Sequence, residues 1–331
     1  MIDLHLHLDG SLSIESVLHL AKIQSVELPT YECEKLKELL VAPADCNSLN
    51  EYLTRFDLPL TLLQTKLGLK QSVLTLLNEL QQQGIIYSEI RFAPQLHTAK
   101  GLTQYEVVQA VSEAFSEFHS GDNTLQSRIL ICMMRGDGNA KENDMSIELA
   151  NEFKKDYVVG VDLAGAEAVF KTENFKKEFE KVSKLGLNYT IHAGEADGAD
   201  SVMKAIEFGA RRIGHGVRVC ESESAIRTVI DNNVTLEICP ISNIQTKAVL
   251  SMSSHPVIKY LNMGMKVTVN TDNMSVSDTS ISKEFAVLEK TFNITQEQKN
   301  KMFFNSIEAA FIDDALKARL KNIVKINNEI K

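Results

Sequence analysis

Asp3-Leu4-His5-Leu6-His7-Leu8-Asp9-Gly10 places two imidazoles two residues apart inside an alternating run that reads as a first β-strand. Strand side chains alternate faces with period two, so His5 and His7 share one face with Asp3, while Ile2, Leu4, Leu6 and Leu8 take the other. Two ring nitrogens one pleat apart suit zinc or another borderline divalent ion. Alone the pair is a weak signal, because a chain with eight histidines meets His-x-His by chance often enough. Its weight depends on the rest of the chain.

Seven more short, β-branched runs lie at Ile85–Phe92, Arg128–Met134, Val158–Leu163, Asn188–His192, Arg212–His215, Val234–Cys239 and Lys266–Asp272. Amphipathic helical patterns separate them, among them Gln104–Phe118, Asn174–Lys184, Asp200–Phe208 and Glu223–Asp231. Gly84, Gly186, Gly209 and Gly264 stand just past helix ends, where a left-handed residue is wanted. Eight strands each followed by helix predict an α/β chain folded as a (β/α)8 TIM barrel. A doubly wound sheet is the alternative, but it usually carries a glycine-rich phosphate loop after its first strand, where this chain has His5-Leu6-His7. No linker, repeat or low-complexity tract divides residues 1–331, so a single domain is expected. Its additions are a helical insertion, Tyr31–Leu80, between strands one and two, and C-terminal helices from Thr295 that close the barrel at its bottom or side.

Composition narrows the function. A net charge of −9 with no Lys/Arg run argues against a nucleic-acid surface, which needs a basic stripe to neutralise phosphates. The five cysteines are odd in number, widely spaced and never Cys-x-x-Cys, which fits reduced thiols rather than a disulfide framework or zinc knuckle. Met1 leads directly into the motif with no signal-peptide pattern, and no apolar run has the length of a membrane span. The expectation is a cytoplasmic protein acting on a small molecule, with neither nucleic acid nor membrane as partner.

A barrel makes a test possible, because catalytic side chains in such folds sit at the C-terminal ends of strands. Strand five ends in His192-Ala193-Gly194-Glu195, strand six in Gly214-His215-Gly216 and strand eight in Thr271-Asp272-Asn273. Metal-ligand and acid–base residue types therefore converge on one mouth from across the chain. Each has a plainer reading: Asp272 could cap a following helix, and His215 between glycines could be a turn residue.

Taken together, His5-Leu-His7-Leu-Asp9-Gly10, Asp162-Leu-Ala-Gly165, His192-Ala-Gly-Glu195, Ile213-Gly-His215-Gly, Glu237-Ile-Cys-Pro-Ile-Ser-Asn243 and Asn270-Thr-Asp272-Asn273 resemble the bacterial type of the adenosine deaminase family, within the metal-dependent amidohydrolase superfamily. The strings occur in family order over essentially the full chain. The resemblance implies one zinc per chain held by His5, His7, His192 and Asp272. It implies Glu195 as proton donor to the purine, His215 as the group that orients or deprotonates water, and Asp272 as catalytic besides ligating. It also implies that Asp9 holds the ribose 5′-hydroxyl, that the Gly165 amide meets a ring nitrogen, and that His7 faces substrate.

The chemistry agrees. Displacing an amine from an aromatic ring needs hydroxide near neutral pH, which zinc supplies by lowering the pKa of bound water towards about 7. The ring must accept electrons, so a carboxylic acid held protonated by burial is needed beside it, and Glu195 suits that task. Leu49, Tyr52, Leu53 and Phe56 fall at i, i+3, i+4 and i+7, one helical face resembling the family's gate over the pocket; plain core packing is the other reading.

Two departures stand out. Asn273 replaces a second aspartate that some members direct at purine nitrogen 7, and Ala166 stands where the family pattern usually runs acidic. The expected reaction is hydrolytic deamination of adenosine, and with it 2′-deoxyadenosine, to the inosine form and ammonia. Alternatives are a deaminase of another 6-aminopurine such as adenine, a His-x-His phosphoesterase, and a silent adenosine-binding protein. The phosphoesterase would need further ligands, and His97, His119 and His255 fall at no predicted strand end; the silent protein should have lost Glu195 or a ligand.

Overall fold

A computed structural model describes the chain apart from Ala44, Asn47, Ile330 and Lys331. Eight strands, β1 (Ile2–His7), β2 (Tyr87–Phe92), β3 (Gln126–Met134), β4 (Val158–Ala164), β5 (Asn188–Ala193), β6 (Arg212–His215), β7 (Thr235–Ile238) and β8 (Lys266–Val269), pair in sequence order and all parallel. The barrel closes through a parallel bridge between Leu6 and Asp272. There the His7 N–H donates to the Asp272 carbonyl at 2.7 Å, and the Asp272 N–H donates to the His5 carbonyl at 2.8 Å. The closing seam thus sets an aspartate directly across from the two histidines of β1.

The alternation read from the first strand is realised. Leu6 and Leu8 join the main apolar core with Val17 and Leu20, and Ile2 and Leu4 pack with Tyr87, Ile307 and Leu320. His5, on the opposite face, reaches across the barrel to Glu237 of β7 and His192 of β5. The C-terminal helices, Gln296–Ala309 and Asp314–Glu329, supply Ile307 and Leu320, so the tail covers the bottom of the barrel. Between them the Phe311 N–H donates to Glu89 at 2.7 Å, and the Arg212 guanidinium lies 4.0 Å from the Phe311 ring centre.

Several boundaries move. The chain between β1 and β2 is helical from Ile14 onward, earlier than the expected Tyr31, because Ser13 accepts the Ser16 N–H and starts a helix at once. β8 ends at Val269, short of the expected Asp272, whose backbone takes a φ of 60° instead. Ser280, not Asp272, caps the next helix, Ile281–Phe292. The gate face is not one regular helix: Leu49–Leu53 is α-helical and Thr54–Phe56 continues as a 3₁₀ turn before the helix Asp57–Leu62. Among the described residues no helix is long and apolar enough to cross a membrane.

Candidate active site

The His5, His7 and His192 rings and the Asp272 carboxylate converge at the C-terminal mouth, with one ligating atom from each lying within 4.8 Å of the others. Nε2 of His192 lies 3.0 Å from Nε2 of His5 and 3.3 Å from Nε2 of His7, and Oδ1 of Asp272 is 3.5 and 3.4 Å from those two atoms. The outer nitrogens decide the tautomers. Nδ1 of His5 faces Oε2 of Glu237 at 2.8 Å, and Nδ1 of His192 faces Oδ2 of Asp162 at 3.0 Å. A carboxylate oxygen there calls for the proton on Nδ1, which turns the bare Nε2 lone pairs of both rings toward each other. Two lone pairs 3 Å apart repel unless a cation lies between them. Tetrahedral sites with metal–nitrogen distances of about 2.0–2.1 Å require nitrogen separations of roughly 3.3 Å, close to those found. The residues fit a divalent metal.

Charged groups inside the barrel fix these rings. Arg91 donates to Asp162 at 2.6 Å and to Glu237 at 2.9 Å, while Arg212 donates to Glu237 at 2.6 Å and to Glu89 at 2.5 Å, all of them buried. Burial works against the Asp162 carboxylate, yet His192 and the Arg91 guanidinium hold it well below the usual range. Asp162 and Glu237 stand inside the sequence motifs without an assigned role there, and Arg91, Arg212 and Glu89 belong to none of them. The available signal was charge inside strands that a barrel buries on both faces.

The catalytic candidates surround that centre. Ser242 donates to Oδ2 of Asp272 at 2.6 Å, and Thr246 donates to Oε1 of Glu195 at 3.0 Å. Oε2 of Glu195 lies 3.5 Å from Nε2 of His215. Burial, with the Asp272 charge adding to it, pushes the Glu195 carboxyl up to about 8. Burial also lowers His215 well below its ordinary value, which keeps the ring neutral. Nδ1 of His215 is 2.9 Å from the Asn243 amide, whose other end meets His255 at 3.3 Å, so one amide sets which ring nitrogen carries the proton. His215 and Asp272 both sit at positive φ, 61° and 60°, a strained backbone typical of functional positions.

A cavity of about 220 Å³ opens beside this cluster. His7, Asp9, Leu49, Tyr52, Leu53, Phe56, Gly165, His192, Glu195, His215, Asp272 and Asn273 all line it, and His5 lies beneath. Leu60, Leu96, Met134 and Cys132, which no sequence pattern singles out, complete its apolar wall. Asp9 and Asn273 are buried, each with an Oδ1 that meets no donor among the described residues. A Cβ on Gly10 would come within 1.8 Å of Oδ1 of Asn273, so the residue after Asp9 must be glycine for Asn273 to stand where it does. Tyr52 anchors the gate through its hydroxyl, 2.7 Å from Oγ of Ser277.

The profile of the adenosine deaminase family matches residues 1–326. The chain belongs to the adenosine deaminase family. Relatives named adenosine deaminase include one from Haemophilus ducreyi, 43% identical over 97% of this chain and 94% of that protein. Another, from Clostridium perfringens, is 42% identical over 97% and 96%. Among solved structures, an adenine deaminase from Arthrobacter aurescens superposes with a TM-score of 0.89 at 25% identity, covering 99% of this chain and 98% of that one. Within this adenosine deaminase scaffold the residue after Ala166, Glu167, is buried and directed at the loop that carries Glu195.

Proposed function

We propose that this chain, taken over residues 1–331 as one catalytic unit, deaminates adenosine and 2′-deoxyadenosine hydrolytically, yielding the inosine form and ammonia. The observation that carries this reading is the convergence of three imidazoles, Asp272, His215 and a buried Glu195 on one cavity floor, in a member of the adenosine deaminase family.

His5, His7, His192 and Asp272 would hold one zinc, the borderline ion suited to three imidazoles and a carboxylate. When bound, zinc lowers the pKa of water towards about 7, making a nucleophile available at neutral pH. His215, kept neutral by burial, accepts the Asn243 amide on Nδ1 and so carries its proton on Nε2, with which it orients the attacking water, while the Asp272 carboxylate takes the water's proton. Glu195, kept protonated by burial, donates to the ring nitrogen beside the carbon under attack, so the ring accepts the electron pair. As the amino group leaves it collects the proton held by Asp272, the ring nitrogen keeps the proton it received, and the hydrogen of the new 6-hydroxyl is released as Glu195 takes a proton back. Water and adenosine thereby become inosine and ammonia.

Asp9 accepts the ribose 5′-hydroxyl, Asn273 and the Gly165 amide address the purine edge, and the gate residues Leu49, Tyr52, Leu53 and Phe56 exclude water. The odd, widely spaced cysteines support a cytoplasmic setting. Deamination of free adenine is the second reading, favoured only by the fold neighbour of that name. Ammonia release measured with adenosine, adenine and adenosine monophosphate separates them: adenosine should be the preferred substrate by at least a decade, and equal turnover of adenine or the monophosphate overturns the nucleoside assignment.

A further inference from the structure

The segment that leaves β5 turns at Gly194, with a φ of 71°, and presents four successive backbone N–H groups to one side. Such a concavity of amides binds an anion. Here it is filled by the protein's own Glu167. Oε1 accepts the Gly194 N–H at 2.7 Å and the Ser201 hydroxyl at 2.5 Å. Oε2 accepts the N–H groups of Glu195, Ala196 and Asp197 at 3.0, 2.7 and 3.0 Å. A buried carboxylate therefore satisfies the four successive amides, Gly194–Asp197, of the loop on which Glu195 is mounted.

The other end of Glu167 is equally fixed. It lies two residues past Gly165, which lines the cavity, and Arg135 pins the same segment by donating to the Phe170 carbonyl at 2.6 Å and to the Thr172 hydroxyl at 2.8 Å. Arg135 also donates to the His192 carbonyl at 2.7 Å, and Thr172 meets Ser201 at 2.7 Å. The loops after β4 and β5 are thus held as one body. Glu167 itself does not line the cavity.

We propose that Glu167 is a positioning residue for the reaction: by clamping the amides of Gly194–Asp197 it sets the Glu195 carboxyl in register with the purine-facing loop at Gly165. The proposal rests on the deaminase reading above. Its physical basis is that misplacing a reacting group by about 1 Å can cost on the order of 100-fold in rate. In Glu167→Gln one terminus becomes an NH₂ group facing N–H donors, so the cradle breaks without loss of side-chain volume.

The test combines two readouts on the metal-loaded enzyme. Hydrogen exchange at the Gly194–Asp197 amides should quicken by about tenfold or more in Glu167→Gln, reflecting local opening; unchanged protection there overturns the proposal, whatever the turnover. With adenosine, kcat should fall about 10- to 100-fold, the range for lost supporting contacts, with KM little changed. The Glu195→Gln background then separates positioning of the acid from general loop support. If Glu167 acts through Glu195, adding Glu167→Gln to Glu195→Gln costs less than about twofold more, whereas losses that multiply overturn the proposal. In Glu167→Ala, formate should restore part of the lost turnover by refilling the cradle. Should the Glu167 variants fail to fold, Ser201→Ala, which removes one of the five donors, supports the same exchange and kinetic measurements. Absence of deamination by the unaltered enzyme would overturn the proposed function instead, and the exchange measurement would still decide whether Glu167 holds the loop.

Discussion

The Ser242 hydroxyl donates to Oδ2 of Asp272 at 2.6 Å, leaving Oδ1 turned toward the histidines of β1. Pro240 at the start of a short helix, Pro240–Gln245, places Ser242 there, and the same turn delivers Asn243 to His215. The Asp272 carboxylate held this way has one oxygen committed and one free for a metal. If Asp272 holds the proposed metal, Ser242→Ala should weaken its binding about 10- to 100-fold, the usual cost of losing a ligand's supporting hydrogen bond. Chelator competition measures it directly, and wild-type metal retention would show that the seam at Leu6 alone orients Asp272.

Glu195 must carry its proton to protonate the purine, and burial lifts its carboxyl to about 8. The acid is protonated below that pH and loses its proton above it, so kcat/KM should be level with respect to this group below about pH 8 and fall tenfold per pH unit above it. Glu195→Gln should lower turnover by about 100-fold or more while keeping nucleoside binding. An alkaline limb that persists unchanged in that variant would assign it to another group.

The meeting of His5, His7, His192 and Asp272 beside Glu195 was legible because each lies near or just past the C-terminal end of a strand, where barrel topology brings such residue types together. The supports were not. Arg91 meets Asp162 and Glu237 only after the barrel closes, so no local spacing announces a contact between residues so far apart in the chain. Charged residues in β2, β6 and β7 were nevertheless out of place for strands buried on both faces, and that mismatch was readable. Ala166 gives no sign that its neighbour Glu167 holds the loop after β5, since those contacts also form only on folding. The pattern Leu49, Tyr52, Leu53 and Phe56 names four side chains that line the cavity but not the break between helix and 3₁₀ turn, because convergence on a cavity does not require a single helical face.

In the proposed function Asp9 separates a nucleoside from other purines. Burial raises its carboxyl to about 6, so it remains a carboxylate at pH 7.5, with one oxygen lacking a donor among the described residues. A hydrogen bond from a 5′-hydroxyl to a charged acceptor contributes about 1.5–3 kcal/mol, or one to two decades in rate. Adenosine should exceed 5′-deoxyadenosine in kcat/KM by that factor, and Asp9→Ala should erase most of the gap. Adenosine monophosphate should be a poor substrate because its phosphate would oppose the same carboxylate. A gap that survives Asp9→Ala would move the 5′ contact elsewhere.

His97 supplies a stability prediction separate from the chemistry. Its ring is fully buried, 6.0 Å from Phe92, and burial lowers it from 6.5 to about 4. Between those two values the unfolded chain binds a proton that the folded chain does not. The stability contributed by the neutral ring is therefore full above about pH 6.5 and is lost as pH falls towards about 4. At about 1.4 kcal/mol per pKa unit, the loss reaches on the order of 2 kcal/mol by pH 5. His97→Phe removes the titrating group and keeps a ring in the same apolar space. Urea unfolding at pH 7.5 and pH 5 should show the variant losing less stability between the two conditions than the unaltered chain. Equal losses in both would mean that the ring already takes up its proton in the folded state, by opening of the segment around Pro94–His97.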